Sequence, residues 1–330
     1  MGRRYMEVGG LNEREVKRVA AIFPGQGSQV VGMGVDVAAH SRKSRELFER
    51  ANTILGYDVL ELQRSGPEEK LRETEYSQPA IFVTNLALYY AVGDMLQPVV
   101  SAGHSFGEFC SLTIAEALSF DEALRIVDAR GKAMQYAAEQ ARGGMSAVLG
   151  MNADTIREVV DRVKAQTGQR VQLANFNSPA QIVISGDLHA VQAAGEALLE
   201  AGAKRVVPLN VSGAWHSELM LPAVPRFESA VRAANFDKPK FAVVSNVDAQ
   251  TYRDTETIKH NLVRSITDEV RWHDCAMQML EYDLDLVVEF GASPVLAPMF
   301  RRLPGAPSVM NVTDFAGVEK LRAVLEVINV

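Results

Sequence analysis

A serine between closely spaced glycines is the first candidate for chemistry in this sequence. Residues 103–107 read Gly-His-Ser-Phe-Gly, the G-x-S-x-G pattern of a nucleophile elbow with Ser105 at its tip. Such a turn leaves no room for side chains on its flanks, so it needs glycine there. Residues 99–102 predict the end of a buried strand, and residues 108–118 predict a helix. The pattern therefore predicts Ser105 as a covalent nucleophile, with an ordinary strand-to-helix turn as the alternative.

This serine needs a base, and His216 is the best candidate. It follows a predicted strand, in the glycine-containing loop of residues 213–217. His104 directly precedes the serine, so its side chain is expected to point away from it. The other four histidines occur in polar or helical surroundings and are expected at the surface: His40, His189, His260 and His273. A serine activated by a neighbouring histidine is the arrangement that acyl transfer uses.

An arginine interrupts the buried face of a predicted helix. Ser119 and Glu122 form a capping-box pattern at the start of this helix. Four residues share one stripe of it: Ala123, Val127, Arg130 and Met134. An unpaired buried charge is unfavourable, so Arg130 needs a carboxylate partner or a solvated pocket. A structural ion pair, an arginine that snorkels to the surface and an anchor for an anionic ligand are the three interpretations.

A glycine-rich loop follows the first predicted strand. Residues 19–23 are apolar, and residues 24–29 read Pro-Gly-Gln-Gly-Ser-Gln. The loop lacks the lysine–serine ending of a P-loop and the spacing of a dinucleotide-binding loop, so nucleotide binding is not expected. With few side chains, it can instead bring backbone N–H groups close to a reacting centre.

Composition excludes several classes of protein. The 330 residues are 47% hydrophobic and 23% charged, as in a globular protein, and the net charge of -7 argues against a nucleic-acid binder. The two cysteines, Cys110 and Cys275, are too few for a disulfide framework and lack metal-ligand spacing. No apolar run reaches membrane-spanning length. Residues 1 to about 17 are polar and are expected as a short helix or loose leader. They lack the apolar core of a secretory signal. We therefore expect a cytoplasmic protein.

Strands alternating with helices, among them an apolar helix that opens at residues 78–79, predict an α/β fold with a mostly parallel sheet. Residues 140–212 interrupt this alternation with the order β-α-β-β-α-β, which is typical of a ferredoxin-like unit. We expect a catalytic domain of residues 1–139 and 213–330 with an α/β-hydrolase-like core, and an inserted ferredoxin-like α+β subdomain of residues 140–212.

Four ordered motifs together resemble the malonyl-CoA:acyl carrier protein transacylase family, including the freestanding acyltransferases that serve polyketide synthases. They occur at residues 23–29, 103–108, 130–135 and 214–217, and the likeness runs in collinear order from about residue 19 to at least 300. The resemblance implies that Ser105 carries the acyl group and that His216 is its base. It also implies an oxyanion hole made by the backbone N–H groups of Gln26 and Phe106.

The resemblance also assigns the substrate contacts. Arg130 would grip the free carboxylate of a malonyl group, with Met134 and Trp215 beside the acyl pocket. A backbone carbonyl at about Ser265, rather than an aspartate, would orient the histidine. Glu269 departs from the family pattern there, because proline is common at that position. No metal or redox cofactor is expected.

The implied reaction sets the partners. An acyl-coenzyme A would donate the acyl group, and the phosphopantetheine thiol of an acyl carrier protein would accept it. We expect the enzyme to be a monomer with no nucleic-acid or membrane partner. Because carrier proteins are usually acidic, four basic residues are candidates for docking: Lys132, Arg142, Arg301 and Arg302.

Trp215 stands where related polyketide acyltransferases often have phenylalanine, and residues 291–296 are closer to modular polyketide acyltransferases than to the fatty-acid enzyme. Together they favour a role in polyketide biosynthesis, with fatty acid biosynthesis as the other pathway. Three alternative functions are a transferase for an unusual acyl group between carrier proteins, a proofreading acyl hydrolase and a catalytically idle docking subunit. Arg130 argues against the hydrolase, because a hydrolase of varied acyl chains gains nothing from a buried cation. The intact set of Ser105, His216 and Arg130 argues against the idle subunit.

Overall fold

The computed structural model describes residues 18–328, so the expectation for residues 1 to about 17 lies outside the described residues. The strands in this part of the chain form two separate sheets. They are β1 (Val19–Phe23), β2 (Pro98–Gly103), β3 (Gly143–Leu149), β4 (Val171–Ser178), β5 (Gln181–Asp187), β6 (Arg205–Pro208), β7 (Ala242–Val243), β8 (Leu286–Phe290) and β9 (Ser308–Val312).

Helices cover both sheets, and one 3-10 helix spans Glu218–Ala223. The α-helices are α1 (Val35–His40), α2 (Arg42–Leu55), α3 (Val59–Ser65), α4 (Glu68–Arg72), α5 (Thr74–Val92), α6 (Gly107–Ile114), α7 (Phe120–Gln140), α8 (Ala153–Thr167), α9 (Leu188–Glu200), α10 (Val224–Ala233), α11 (Thr255–Arg264), α12 (Trp272–Leu280), α13 (Ala297–Phe300) and α14 (Phe315–Ile328). None of the helices between residues 18 and 328 has the length and apolarity needed to cross a bilayer.

The larger sheet has five strands in the order β7-β2-β1-β8-β9, and every pairing in it is parallel. Its central strand is apolar at every position, as expected where helices cover both faces. Ala21 and Phe23 of β1 pack into one core cluster, whereas Ala20 and Ile22 pack into the cluster on the opposite face. The predicted α/β class with a parallel sheet is confirmed.

The second sheet is antiparallel, with the order β4-β5-β3-β6. Its strands alternate with α8 and α9 in the order expected from residues 140–212. The apolar faces of both helices pack on the sheet in a core cluster of their own, which includes Ile156, Val160, Ile184 and Leu198.

Several boundaries differ from the sequence-based expectations. The apolar helix predicted to open at residues 78–79 begins at Thr74, so Pro79 lies inside α5 rather than in its first turn. The helix after the elbow ends at Ile114, earlier than predicted, and a positive φ of 56° at Glu116 follows it. The capping box of α7 is present: the N–H of Glu122 donates to Ser119 Oγ over 3.2 Å.

Candidate active site

The turn between β2 and α6 holds Ser105 in a strained conformation. The φ of Ser105 is 53°, in the left-handed region that serine seldom adopts. A Cβ on Gly103 would lie 1.9 Å from the carbonyl carbon of Gly107, and one on Gly107 would lie 2.4 Å from the oxygen of Phe23. Only glycine fits either position, and strain of this kind is typical of functional residues.

His216 reaches this serine from the loop before the 3-10 helix. Its Nε2 lies 2.9 Å from Ser105 Oγ. Its Nδ1 lies 2.9 Å from the carbonyl oxygen of Ser265 and 3.2 Å from that of Asp268. Two carbonyl acceptors at Nδ1 require the proton to be on that nitrogen, which leaves Nε2 free to accept the serine hydroxyl. The sequence pointed to about Ser265 but missed the second carbonyl, at Asp268.

The surroundings of His216 favour its neutral form. Burial, the positive charge of Arg130 and the proximity of His104 together lower the pKa of His216 to about 3. The imidazole therefore carries no proton on Nε2 near pH 7, which is the state that a general base needs.

Arg130 is fully buried in α7 and points at the same serine. Its Nη1 donates to Gln78 Oε1 over 2.8 Å, and its Nη2 donates to Ser105 Oγ over 3.2 Å. Its Nε has no hydrogen-bond partner among the residues that the structure describes. No carboxylate within residues 18–328 forms an ion pair with this guanidinium. The structure thus contradicts two of the sequence-based interpretations, the structural ion pair and the snorkelling arginine.

Burial of this unpaired guanidinium has an electrostatic consequence. It lowers the pKa of Arg130 to about 10, an effect that the charge of Glu108 opposes. The group remains a cation at neutral pH. Its Nη2 faces the reaction centre, and its Nε is unpartnered among the described residues.

Gln78 completes the surroundings of the arginine. Its Nε2 donates to Thr74 Oγ1 over 2.7 Å and lies 3.5 Å from the sulfur of Met134. The resemblance implied Met134 at the site, whereas Gln78 was predicted only as the start of a helix. The glutamine directly before the apolar run of residues 79–83 was the available signal.

The glycine-rich loop after β1 lies against the elbow. A Cβ on Gly25 would lie 2.6 Å from the carbonyl oxygen of His104 and 3.6 Å from the Cβ of Ser105. The backbone N–H groups of Gln26 and Phe106 donate to no other described residue. Two unengaged N–H groups beside a nucleophile are the donors that a developing oxyanion requires.

A buried polar network behind the elbow was not predicted. Asn246 Oδ1 accepts the N–H of Ser105 over 2.7 Å, and Asn246 Nδ2 donates to the carbonyl of Gly103 over 2.6 Å. The N–H of Asn246 and the hydroxyl of Tyr252 both donate to the carboxyl of Glu108. Burial raises the pKa of Glu108 to about 7. These bonds hold the turn on both sides of the nucleophile.

The other histidines lie apart from this chemistry. His104 points away from the serine, and its Nε2 lies 2.9 Å from Asn177 Oδ1 in β4. His40, His189 and His260 are exposed as expected. His273 is half-buried instead, with an unpartnered Nδ1.

Trp215 is only 5% exposed and belongs to the main core. The edge of its six-membered ring would lie 2.5 Å from a Cβ on Gly213, so this glycine leaves the space that the ring occupies. Its Nε1 has no hydrogen-bond partner among the described residues. The same Cβ on Gly213 would lie 3.0 Å from the Cβ of Ala138, so the ring lies near α7.

The four candidate docking residues are all exposed. Lys132 forms an ion pair with Asp128 over 2.7 Å, and the guanidinium of Arg301 donates to the carbonyl of Val309 over 3.0 Å. Arg142 follows α7 and Arg302 follows α13, so the set is divided between two parts of the chain. No group of three or more His, Cys, Asp or Glu side chains within the described range is arranged to hold a metal ion.

A family model and curated proteins match most of the chain. The profile of the family described as "Acyl transferase domain" matches residues 21–316. The malonyl CoA-acyl carrier protein transacylase of Haemophilus influenzae is 37% identical over 311 residues, which cover 92% of this chain and 99% of that protein.

Solved structures of transacylases superpose on the fold of this chain. An acyl carrier protein S-malonyltransferase from Vibrio cholerae superposes with a TM-score of 0.88 at 35% identity, covering 92% of this chain and 100% of that one. A malonyl-transacylase in complex with its type II polyketide synthase acyl carrier protein superposes with a TM-score of 0.89 at 36% identity, covering 93% and 100%.

Proposed function

The chain belongs to the acyl transferase domain family, and on that premise we propose that it moves a malonyl group from coenzyme A to the phosphopantetheine thiol of an acyl carrier protein in fatty acid or polyketide biosynthesis. One observation carries the choice of acyl group: the buried guanidinium of Arg130 lies 3.2 Å from the nucleophile and has no carboxylate partner in the described part of the chain. An acyl group with a free carboxylate supplies the missing negative charge.

The geometry of the guanidinium suits a carboxylate. Gln78 occupies Nη1, which leaves the edge formed by Nε and Nη2 to donate two parallel hydrogen bonds. A malonyl carboxylate bound there neutralises the charge of Arg130. Since that charge helps to lower the pKa of His216, substrate binding makes the histidine a stronger base.

The first half-reaction forms an acyl-serine. Ser105 Oγ attacks the thioester carbonyl as His216 Nε2 takes its proton. The N–H groups of Gln26 and Phe106 stabilise the oxyanion, and a donor of this kind contributes about 3 kcal/mol. When the tetrahedral intermediate collapses, the carbon–sulfur bond breaks and His216 returns the proton to the coenzyme A thiolate. The carbonyls of Ser265 and Asp268 keep the imidazolium oriented.

The second half-reaction reverses these steps with another thiol. His216 takes the proton of the phosphopantetheine thiol, its sulfur attacks the acyl-serine ester, and Ser105 leaves with a proton from the imidazolium. The scheme uses neither metal nor redox cofactor. Lys132, Arg142, Arg301 and Arg302 are the proposed carrier contacts, and Trp215 and Met134 are the proposed walls of the acyl pocket.

We further propose the finer architecture. The parallel sheet with its serine elbow supports an α/β-hydrolase-like catalytic domain of residues 1–139 and 213–330. The order β-α-β-β-α-β with antiparallel pairing supports a ferredoxin-like subdomain of residues 140–212. A monomer in the cytoplasm fits the coenzyme A thioester substrate and the two free, buried cysteines.

Mass spectrometry of the intact protein tests the proposal. Mixed with malonyl-CoA, the protein should gain one malonyl group and lose it to a phosphopantetheinylated carrier protein; Ser105→Ala should gain none while keeping its fold. Acetyl-CoA is the matched control substrate, because it lacks the carboxylate. Release of malonate to water faster than transfer to the carrier would instead identify a hydrolase, and preference for acetyl-CoA would refute the malonyl assignment.

A further inference from the structure

The catalytic base and the carbonyls that orient it lie on separate segments of the chain. His216 lies in the loop after β6, whereas Ser265 and Asp268 belong to the turn after α11. The hydrogen bonds from Nδ1 place these segments only 2.9 and 3.2 Å apart at the contacting atoms. Catalysis by the histidine therefore depends on contacts that keep the loop and the turn in this relative position.

A glutamine of the antiparallel sheet forms such a link. Nε2 of Gln172, in β4, lies 3.3 Å from the carbonyl oxygen of His216 and 3.3 Å from that of Thr267. Its Oε1 accepts the N–H of Glu218 over 3.0 Å. A glutamine amide has two N–H donors, one for each carbonyl, and the N–H at Oε1 determines which way the amide faces.

We propose that Gln172 is a positioning residue, which holds His216 against the carbonyls of Ser265 and Asp268 by bridging the two segments. The inference rests on the proposed function, since it names a further residue of the same site. Gln172 touches no reacting atom and acts only through the histidine.

The strand that carries Gln172 is itself fastened to the carbonyl-bearing segment. The N–H of Phe176 donates to the carbonyl of Val270, and the N–H of Val270 donates to the carbonyl of Ala174, each over 2.8 Å. Strand β4 therefore continues its pairing onto this segment and gives the half-buried glutamine a rigid base.

Two substitutions of Gln172 test different hydrogen bonds of this bridge. Gln172→Met keeps the approximate size of the side chain and removes all three hydrogen bonds. We expect acylation of Ser105 by malonyl-CoA to slow by roughly 10- to 100-fold, as for other small displacements of catalytic groups. KM for malonyl-CoA should stay unchanged, because the proposed carboxylate contact is made by Arg130 on α7.

Gln172→Glu keeps the acceptor for Glu218 but replaces both donors with a carboxylate that repels the two carbonyl oxygens. Protonation restores one donor, so the rate of this variant relative to the wild type should rise as the pH falls from about 8 to about 5.5. With the rate normalised to the folded fraction at each pH, a role limited to folding would not produce this pH dependence.

Lys164→Met is the matched control. It removes the ion pair of 3.0 Å between Lys164 and the side chain of Glu218, on the same 3-10 helix, and leaves the bridge intact. Its acylation rate should equal that of the wild type. NMR of 15N-histidine-labelled protein supplies a readout without activity: the Nδ1 proton of His216 should be protected from exchange in the wild type and in Lys164→Met, but not in Gln172→Met.

The outcomes are distinct. A wild-type protein that does not load malonyl refutes the proposed function, while the NMR comparison still decides the role of Gln172. If the wild type loads malonyl but Gln172→Met loads it equally fast, or changes only KM, the positioning role is wrong. If Gln172→Met does not fold, the pH dependence of Gln172→Glu decides, and a constant ratio to wild type overturns the inference.

Discussion

Removing the guanidinium of Arg130 tests the link between the buried charge and the choice of acyl group. The side chain is fully buried, and within residues 18–328 its hydrogen-bond partners are Gln78 and Ser105. Arg130→Met keeps much of the aliphatic volume and removes the charge. Losing one partner of a buried, hydrogen-bonded charge pair costs about 2–5 kcal/mol, or roughly 30- to several-thousand-fold in malonyl loading.

The same change has a calculable effect on stability. Folding lowers the pKa of Arg130 from 12.5 to about 10, so the folded state disfavours the cation throughout the pH range below about 10. That shift corresponds to about 3 kcal/mol of unfavourable free energy, which Arg130→Met removes. The substitution also leaves Gln78 without its partner, at a cost of about 1–3 kcal/mol. These terms nearly cancel, so the variant should be about as stable as the wild type although it loads malonyl far more slowly.

Competitive loading from an equimolar mixture of malonyl-CoA and acetyl-CoA measures the first effect, and urea unfolding measures the second. Acetyl loading should gain relative to malonyl in Arg130→Met. Arg125→Met, an exposed arginine on the same helix, is the control and should load as the wild type does. The reasoning fails if Arg130→Met loses malonyl and acetyl loading equally, or if it unfolds several kcal/mol more easily than the wild type.

Three further outcomes are expected. Trp215→Phe keeps the carboxylate contact and adds room, so it should change the ratio of methylmalonyl to malonyl loading; an unchanged ratio would leave the indole only its packing role. Reversing both charges with Arg301→Glu and Arg302→Glu should raise KM for the carrier protein without changing loading from coenzyme A, since charges at the rim of an interface mainly steer encounter; an unchanged KM removes these residues from the interface. Because the pKa of His216 is lowered to about 3, kcat/KM for malonyl-CoA should show no acidic limb near pH 6.5, the ordinary histidine value; rates at constant ionic strength between about pH 5 and 8 check this.

Local patterns specified the parts of this site that are close in sequence. The glycines around Ser105 predicted the elbow because backbone sterics act over a few residues, and the structure shows those clashes at Gly103 and Gly107. The stripe on α7 likewise predicted that Arg130 is buried, since helical periodicity alone orients it. The parallel sheet followed from alternating apolar strands and helices.

Contacts between distant segments required the tertiary structure. Asn246 meets the N–H of Ser105, 141 positions away, and Gln172 meets the carbonyl of Thr267 across 95 positions. Within residues 18–328 no carboxylate pairs with Arg130, which distinguishes a ligand anchor from an ion pair, and this too depends on every element packed around the arginine. Periodicity states which side of a helix or strand is buried, but it carries no information on which other segment packs there. Which segments pack together depends on the closure of long loops and on the joint packing of both sheets, where each contact depends on all the others.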